Sequence, residues 1–286
     1  MGATILEGGP IAERIKAELK TQIQQLQGTR PPKLVAVLVG DNAGSKYYAK
    51  SQKKDCDELG IGYELRELPA DIAESDILGV MDELNEDEVV TGIILLVPVP
   101  KQLDARALQA AIAPSKDVDG VHPVNLGRVV QGDSTLAPCT AQAAVAMVEA
   151  AGIEIEGAEV VMVGHSEIVG KPTALLLLEP LATVTVCHIG TRDTAAHTRA
   201  ADVVIVATGV PGLVKADWIK PGALVVDVGI NRVKGEDGKT KMVGDVDPGV
   251  AEVAGIMTPV PGGVGAVTAA MLMKNTVAAA AMQASV

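Results

Sequence analysis

The sequence contains no phenylalanine, one tryptophan and three tyrosines among 286 residues. A core without large aromatic rings must be filled by Val, Ile, Leu, Met and Ala, which suits buried parallel strands and closely packed helices. Basic tracts are missing too: 24 Lys and Arg stand against 36 Asp and Glu, a net charge of −12. That balance, with almost no aromatic stacking groups, excludes nucleic acid as the expected partner. Unbroken apolar runs such as Ile93 to Val97 fall far short of the ~20 residues of a spanning helix, so no membrane is expected. Three scattered cysteines, Cys56, Cys139 and Cys187, supply neither a disulfide framework nor a zinc site. No secretory leader is read, because Met1-Gly2-Ala3-Thr4 runs directly into an amphipathic pattern, and Leu6 stands where a myristoylation motif needs Ser or Thr. The expected location is the cytoplasm.

What is present is a globular composition, 48% hydrophobic and 21% charged, in two αβ-alternating halves. In the first half the patterns predict helices over 10–27, 45–59 and 75–84 and strands over 34–39, 63–68 and 91–97. Residues 114–140 break the rhythm and are too apolar for a linker, so a functional loop is expected there. The second half predicts a helix over 141–151, strands over 160–163, 183–186, 203–207 and 224–228, and a closing helix from about Thr268. Alternation of this kind gives a parallel α/β sheet with ligands at the C-terminal ends of its strands.

Four stretches carry candidate chemistry. Gly164 to Gly170 follows a strand and opens a helix, where free N–H groups can hold a pyrophosphate; a plain strand-to-helix turn reads equally well from those residues alone. Tyr48 and Gln52, at i and i+4, put a polar pair on one helical face, which is either a core tyrosine with a neighbour or part of a site. Lys116, Asp117, Asp119 and His122 bring more charge into one irregular segment than a turn requires, suiting a polar heterocycle and giving too few clustered ligands for a metal. Pro259 to Gly265 holds glycines enough for backbone to approach a ligand closely.

Taken together, Tyr48 to Cys56, Pro98-Val99-Pro100, Lys116 to Pro123, Pro138-Cys139-Thr140, Gly164 to Pro172, Gly229-Ile230-Asn231, Gly244-Asp245-Val246 and Thr258 to Gly265 resemble, in order and spacing, the methylenetetrahydrofolate dehydrogenase/methenyltetrahydrofolate cyclohydrolase family of FolD-type enzymes. The resemblance covers nearly the whole chain. It implies an N-terminal three-layer α/β catalytic domain (1–140 plus about 268–286), a Rossmann-type NAD(P)-binding domain (141–267), a folate cleft between them and a homodimer. It implies that Tyr48 stacks on the pterin of a tetrahydrofolate, that Asp119 binds the pterin amide and amino groups, and that Leu96, Val97, Pro98, Pro261, Gly262 and Gly265 line the substrate site. Gly164, His165, Ser166 and Ile230 would contact the dinucleotide.

Three departures from the family pattern bear on activity. The lysine expected four residues after Tyr48 is Gln52, and its glutamine partner is Leu96. A neutral amide cannot take a proton near pH 7, so the expectation is a dehydrogenase whose cyclohydrolase step is weak or lost, with full bifunctionality and a non-catalytic folate-binding paralogue as alternatives. His165 stands where many relatives carry an Arg for the NADP 2′-phosphate, and Ile189 where some have Ser; Arg192 is near enough in sequence to substitute, so NADP is expected and NAD stays open. Ala266 replaces the usual proline after the glycine run.

Overall fold

The computed structural model describes residues 2–26, 30–234 and 240–284. In chain order the elements are β1 (Thr4–Ile5), α1 (Gly8–Gln25), β2 (Lys33–Val39), α2 (Ala43–Leu59), β3 (Gly62–Leu68), α3 (Glu74–Glu86), β4 (Gly92–Leu96), α4 (Ala105–Ala110), α5 (Pro123–Val130) and α6 (Cys139–Ala150). They continue with β5 (Glu159–Val163), α7 (Gly170–Leu178), β6 (Thr183–Cys187), α8 (Thr194–Thr198), β7 (Val203–Val206), β8 (Leu224–Asp227), β9 (Asn231–Lys234), β10 (Thr240–Val243), β11 (Ile256–Met257) and α9 (Val264–Ala284). Among the described residues, 2–13 with 140–268 form one compact unit, and 14–139 with 269–284 form the other.

In the unit of 14–139 a parallel sheet runs β3-β2-β4. Leu34 to Val39 are all buried, so this strand needs cover on both faces, which an unbroken apolar run permits and an alternating one does not. On one face Val35, Val37 and Val39 pack with Ile93 and Leu95 of β4 against Ile77, Met81 and Leu84 of α3 and Leu108 of α4. A bridge between Ile93 and Asp117 lays the irregular segment alongside β4. Part of that segment is helical: Pro123 starts α5 and the His122 ring caps it.

The other unit is built on a six-stranded parallel sheet of order β1-β11-β8-β7-β5-β6. Valines on alternating strand positions, Val161, Val163, Val204, Val206 and Val225, form one core face with Ile219 and Val250. From β5 the chain crosses to β6 on one side, then returns to β7 on the other, so the strand order reverses between β5 and β7. The crevice beyond the C-terminal ends of two such strands is where an open α/β sheet binds its ligand.

Two expectations need amending. Residues assigned from the sequence to the first domain include β1, yet Thr4 and Ile5 pair with Ile256 and Met257 in the six-stranded sheet. Strands this short carry no periodic signal, and backbone pairing places them. Among the described residues, α9 is long and apolar enough to cross a membrane by length and composition, although 61% of that stretch is buried within the protein. Lys274 interrupts the apolar run, which is why a search for unbroken runs passes over it. The end expected for the first helix, Gln27, lies outside the described residues.

Candidate active site

In the unit of 14–139, α2 carries the first candidates. Asn42 starts the helix, its Oδ1 accepting from the Ser45 N–H at 3.0 Å, and Gly60 ends it at φ 74°. Buried Ser45 also donates from Oγ to the Val97 carbonyl at 3.3 Å, which ties the start of α2 to the segment leaving β4. Leu96 ends β4 fully inside, whereas Val97 and Pro98, joined by a cis peptide, are exposed. One turn after the partly buried Tyr48, Gln52 is completely buried. Its Oε1 accepts from the Tyr63 hydroxyl at 3.1 Å, and its Nε2 has no partner among the described residues.

The segment after α4 treats its two aspartates differently. Buried Asp117 accepts from the N–H of Gly120 (3.1 Å) and of His122 (2.8 Å) and from Asn125 Nδ2 (2.9 Å). Lys116 is also occupied, its Nζ donating to the carbonyls of Leu84 and Asp87, and desolvation lowers its pKa. Gly120 sits at φ 77° against the Ala137 carbonyl, a place no side chain could occupy. The Asp119 carbonyl accepts from Cys139 N–H at 3.1 Å, and Asn275 of α9 donates from Nδ2 to the carbonyls of Val118 and Ala137, both at 2.9 Å. The backbone around Asp119 is thus held from two sides, while its carboxylate takes no hydrogen bond from any described residue.

Burial first, and then the charge of Asp117, push the Asp119 pKa up to about 7. The Tyr48 phenol is also pushed well above its ordinary value, by burial first and then by repulsion from Cys139 and Asp119, with the Gln52 amide acting in the opposite sense. Tyr48 thus feels both Gln52 and Asp119. Basic groups near them are engaged elsewhere: Lys46 pairs with Asp41, and Lys53 with Asp57 at 2.9 Å. His122 Nδ1 accepts from Val124 N–H at 3.0 Å, which leaves Nε2 as donor to the Ala110 carbonyl at 3.1 Å.

In the six-stranded unit, Gly164 follows β5 at φ 122°, where a Cβ would strike the Ala207 carbonyl at the end of β7. Gly170 opens α7 packed on the Gly164 backbone, and the Ser166 hydroxyl accepts from the N–H groups of Val169 and Gly170 at 3.3 Å. This tight turn sits at the point where the strand order reverses, so its glycines fit a dinucleotide-binding loop. At the end of β6, His188 meets His165 edge to face, with ring centroids 5.0 Å apart, and Ile189 is wholly exposed. The carboxylate nearest in sequence, Asp193, caps α8 through Ala196 N–H at 2.9 Å. On the Pro-Gly-Gly run, Pro261 and Gly262 are exposed, the Gly262 carbonyl accepts from Gly8 N–H at 2.8 Å, and Gly265 lies 3.5 Å from the side chain of Ile230.

Two buried acids missed by the sequence reading organise those loops. Asp245 Oδ2 accepts from Thr208 N–H (2.5 Å), Thr208 Oγ1 (3.0 Å) and Gly209 N–H (2.8 Å), and its Oδ1 accepts from Asn231 Nδ2 at 2.7 Å. Asp227 accepts from the N–H groups of Gly229, Asp245 and Val246 at 2.9–3.0 Å, and burial raises its pKa to about 6. Gly229 and Gly244 lack side chains because those carboxylates fill the space. Their presence in the Gly-Ile-Asn and Gly-Asp-Val motifs was the available signal. Among the described residues no group of three or more His, Cys, Asp or Glu side chains could hold a metal ion.

Comparison with known proteins also parts the chain before residue 138, although the second matched stretch takes in the whole of α9. Residues 6–119 match the tetrahydrofolate dehydrogenase/cyclohydrolase catalytic domain, and 138–284 its NAD(P)-binding domain. The bifunctional protein FolD 2 of Geobacter sulfurreducens is 47% identical over 285 residues, 99% of each chain. Among solved structures, the bifunctional FolD methylenetetrahydrofolate dehydrogenase/cyclohydrolase of Campylobacter jejuni is 41% identical with a TM-score of 0.91, over 98% of this chain and 99% of that one. The Trypanosoma brucei enzyme, solved with NADP and an inhibitor, is 36% identical with a TM-score of 0.93, and both chains are covered in full. The chain belongs to the tetrahydrofolate dehydrogenase/cyclohydrolase family.

Proposed function

We propose that the chain oxidises 5,10-methylenetetrahydrofolate to 5,10-methenyltetrahydrofolate with NADP+ as acceptor, and that its hydrolysis of the methenyl bridge is weak. Family membership supports the dehydrogenase part. In that step the bridging carbon loses a hydride, leaving the methenyl cation, and no proton has to move. A bound nicotinamide supplies the hydride acceptor. The chain's part is alignment, which raises rate without any acid or base. Asp119 is the observation that carries the reading: a desolvated carboxylate with open lone pairs, on a backbone held fixed, matches a ring that offers an amide N–H and an amino group side by side. Tyr48 offers a face next to it. Gly164, His165 and Ser166 would hold the pyrophosphate side of the dinucleotide, and Ile230 with Gly265 the nicotinamide side.

Hydrolysis is different, because water must lose a proton as it adds to the methenyl carbon. Gln52 cannot accept it, Leu96 has no polar atom, and Lys46, Lys53, Lys116 and His122 are engaged as described. General acid–base help is worth ~10²–10⁴-fold, so its loss should leave little hydrolysis. Full bifunctionality is the second reading, favoured by the names of the relatives. The Gln52→Lys, Leu96→Gln double variant decides between them: methenyl consumption should rise at least ~10-fold with dehydrogenase rate kept, and a folded double variant without gain contradicts our account of these positions.

NADP is preferred over NAD because the end of β6 presents His188, Ile189, Gly190, Thr191 and Arg192, five residues with no carboxylate among them for a ribose 2′-hydroxyl. Comparing kcat/KM for the two cofactors tests this directly. The reading also includes a cytoplasmic location and a homodimer, the latter checked by molar mass in solution from light scattering.

A further inference from the structure

Ile230 is an aliphatic side chain left 59% exposed on a loop that is pinned on both sides of it. Both pins are the same carboxylate. Asp245 fills the space a Gly229 side chain would need, and its Oδ1 accepts from Asn231 Nδ2 at 2.7 Å. Its Oδ2 accepts from the N–H groups of Thr208 and Gly209, in the loop that follows β7. Ala207, just before them, sets its carbonyl against Gly164. The carboxylate has a fixed base as well: Val214 N–H donates to the Asp245 carbonyl at 3.1 Å, and Asp247 N–H to the Val214 carbonyl at 2.9 Å. Asp227 Oδ1 adds support by accepting from the N–H groups of Gly229 and Asp245. In the sheet β8, β7 and β5 are neighbours. Asp245 therefore bonds together the loops that leave two adjacent strands, and the second of these packs on the turn that leaves the third.

An exposed isoleucine gains from being covered, and bracing its loop beforehand lowers the ordering cost of whatever covers it. We propose that Asp245 is a positioning residue for the dinucleotide. By joining Asn231 to the Thr208–Gly209 loop it fixes the spacing between the turn at Gly164 and the Ile230 side chain, hence between the phosphate and nicotinamide ends of the cofactor site. The placing of a dinucleotide there rests on the proposed function; the braced loops do not. Hydride transfer depends on alignment, and a misplacement of about 1 Å can cost ~10²-fold. Position 245 needs an acceptor at both oxygens, which a carboxylate offers and an amide does not. In Asp245→Asn the amide oxygen can still serve Thr208 and Gly209, but its NH2 meets the NH2 of Asn231. Exchanging the pair, Asp245→Asn with Asn231→Asp, restores a donor facing an acceptor.

The test pairs a methyl signal with two ligands. In protein labelled with ¹³C at the isoleucine δ1 methyls, with the Ile230 signal assigned through Ile230→Val, Asp245→Asn should shift that signal before any ligand is added. The exchanged pair should bring it back. By calorimetry, Asp245→Asn should weaken NADP+ binding about 10-fold, the effect of one charge-assisted hydrogen bond. Adenosine 2′,5′-bisphosphate, which carries no nicotinamide, should bind the variant as it binds the unmodified protein, a selectivity that general loosening of the fold would not give. The exchanged pair should recover the NADP+ affinity. Should Asp245→Asn fail to fold, Asn231→Ala cuts the same link from its other end, with the same selective loss expected. An unmoved Ile230 signal, equal losses for the two ligands, or no recovery in the exchanged pair overturns the proposal. Ile230 shifts of the expected pattern in a protein that takes up neither ligand would sink the dinucleotide reading and the proposal with it. NADP+ bound equally by every variant would sink the proposal alone.

Discussion

Asp119 and Asp245 are both carboxylates drawn out of water, one in each unit, and their surroundings differ in one respect. Asp245 is met by four donors, three from the loop after β7 and one from Asn231. Asp119 is met by none among the described residues, though the backbone on either side of it is fixed by Cys139 and Asn275. A saturated carboxylate spends its bonding capacity on the fold, shaping the loops around it. An open one on a rigid backbone keeps that capacity for something that arrives later. The same contrast recurs within a single loop, where Asp117 is saturated and Asp119, two residues on, is open.

Removing the saturated acid should have the largest effect. Asp245→Ala strands the N–H groups of Thr208 and Gly209 and is expected to cost about 3 kcal/mol in urea unfolding; a loss below about 1 kcal/mol would break the comparison. Next comes Asp119→Asn, which replaces an acceptor by a donor facing the pterin's own donors. Tetrahydrofolate affinity by calorimetry should fall about 100-fold with the unfolding midpoint unchanged or higher. The effect has a pH signature. Bound donors favour the ionised form, so affinity should weaken as pH falls below about 7, and the variant's should stay flat. Stability moves the other way. Asp119 and Asp227, with pKa values raised to about 7 and about 6, contribute stability that is complete below about pH 4 and lost as pH rises through those values. The smallest change is expected from Asp117→Asn: about 1 kcal/mol of stability, because one amide must face a donor, with folate affinity within about 3-fold of the unmodified protein.

Much of this arrangement was legible beforehand. The apolar runs of β2, β4, β5, β7 and β8 announce buried parallel strands, and the glycines at 164 and 170 mark a tight turn because only glycine fits there. The Asp119 segment stood out as over-charged for a turn. What could not be read is set by contacts between distant residues. β1 and β11 are two-residue strands defined by pairing alone. Which aspartate of the Lys116–Asp119 stretch is open depends on Asn125, His122 and Asn275, up to 156 positions from Asp119. Tyr63 reads as one more strand residue until β3 is laid beside α2. The helix α5 had a usable signal, a proline at its first position behind a capping His122, which the irregular composition of residues 114–140 obscured.

The central claim is that alignment survives here without a base for water. It is tested most directly by mixing the unmodified protein with methylenetetrahydrofolate and NADP+, in a buffer where spontaneous hydrolysis is slow, and recording NADPH and methenyl product together. Methenyltetrahydrofolate accumulating one-for-one with NADPH is the predicted result. NADPH forming while methenyltetrahydrofolate disappears would contradict it, and would mean that Gln52 and Leu96 do not disable the second step.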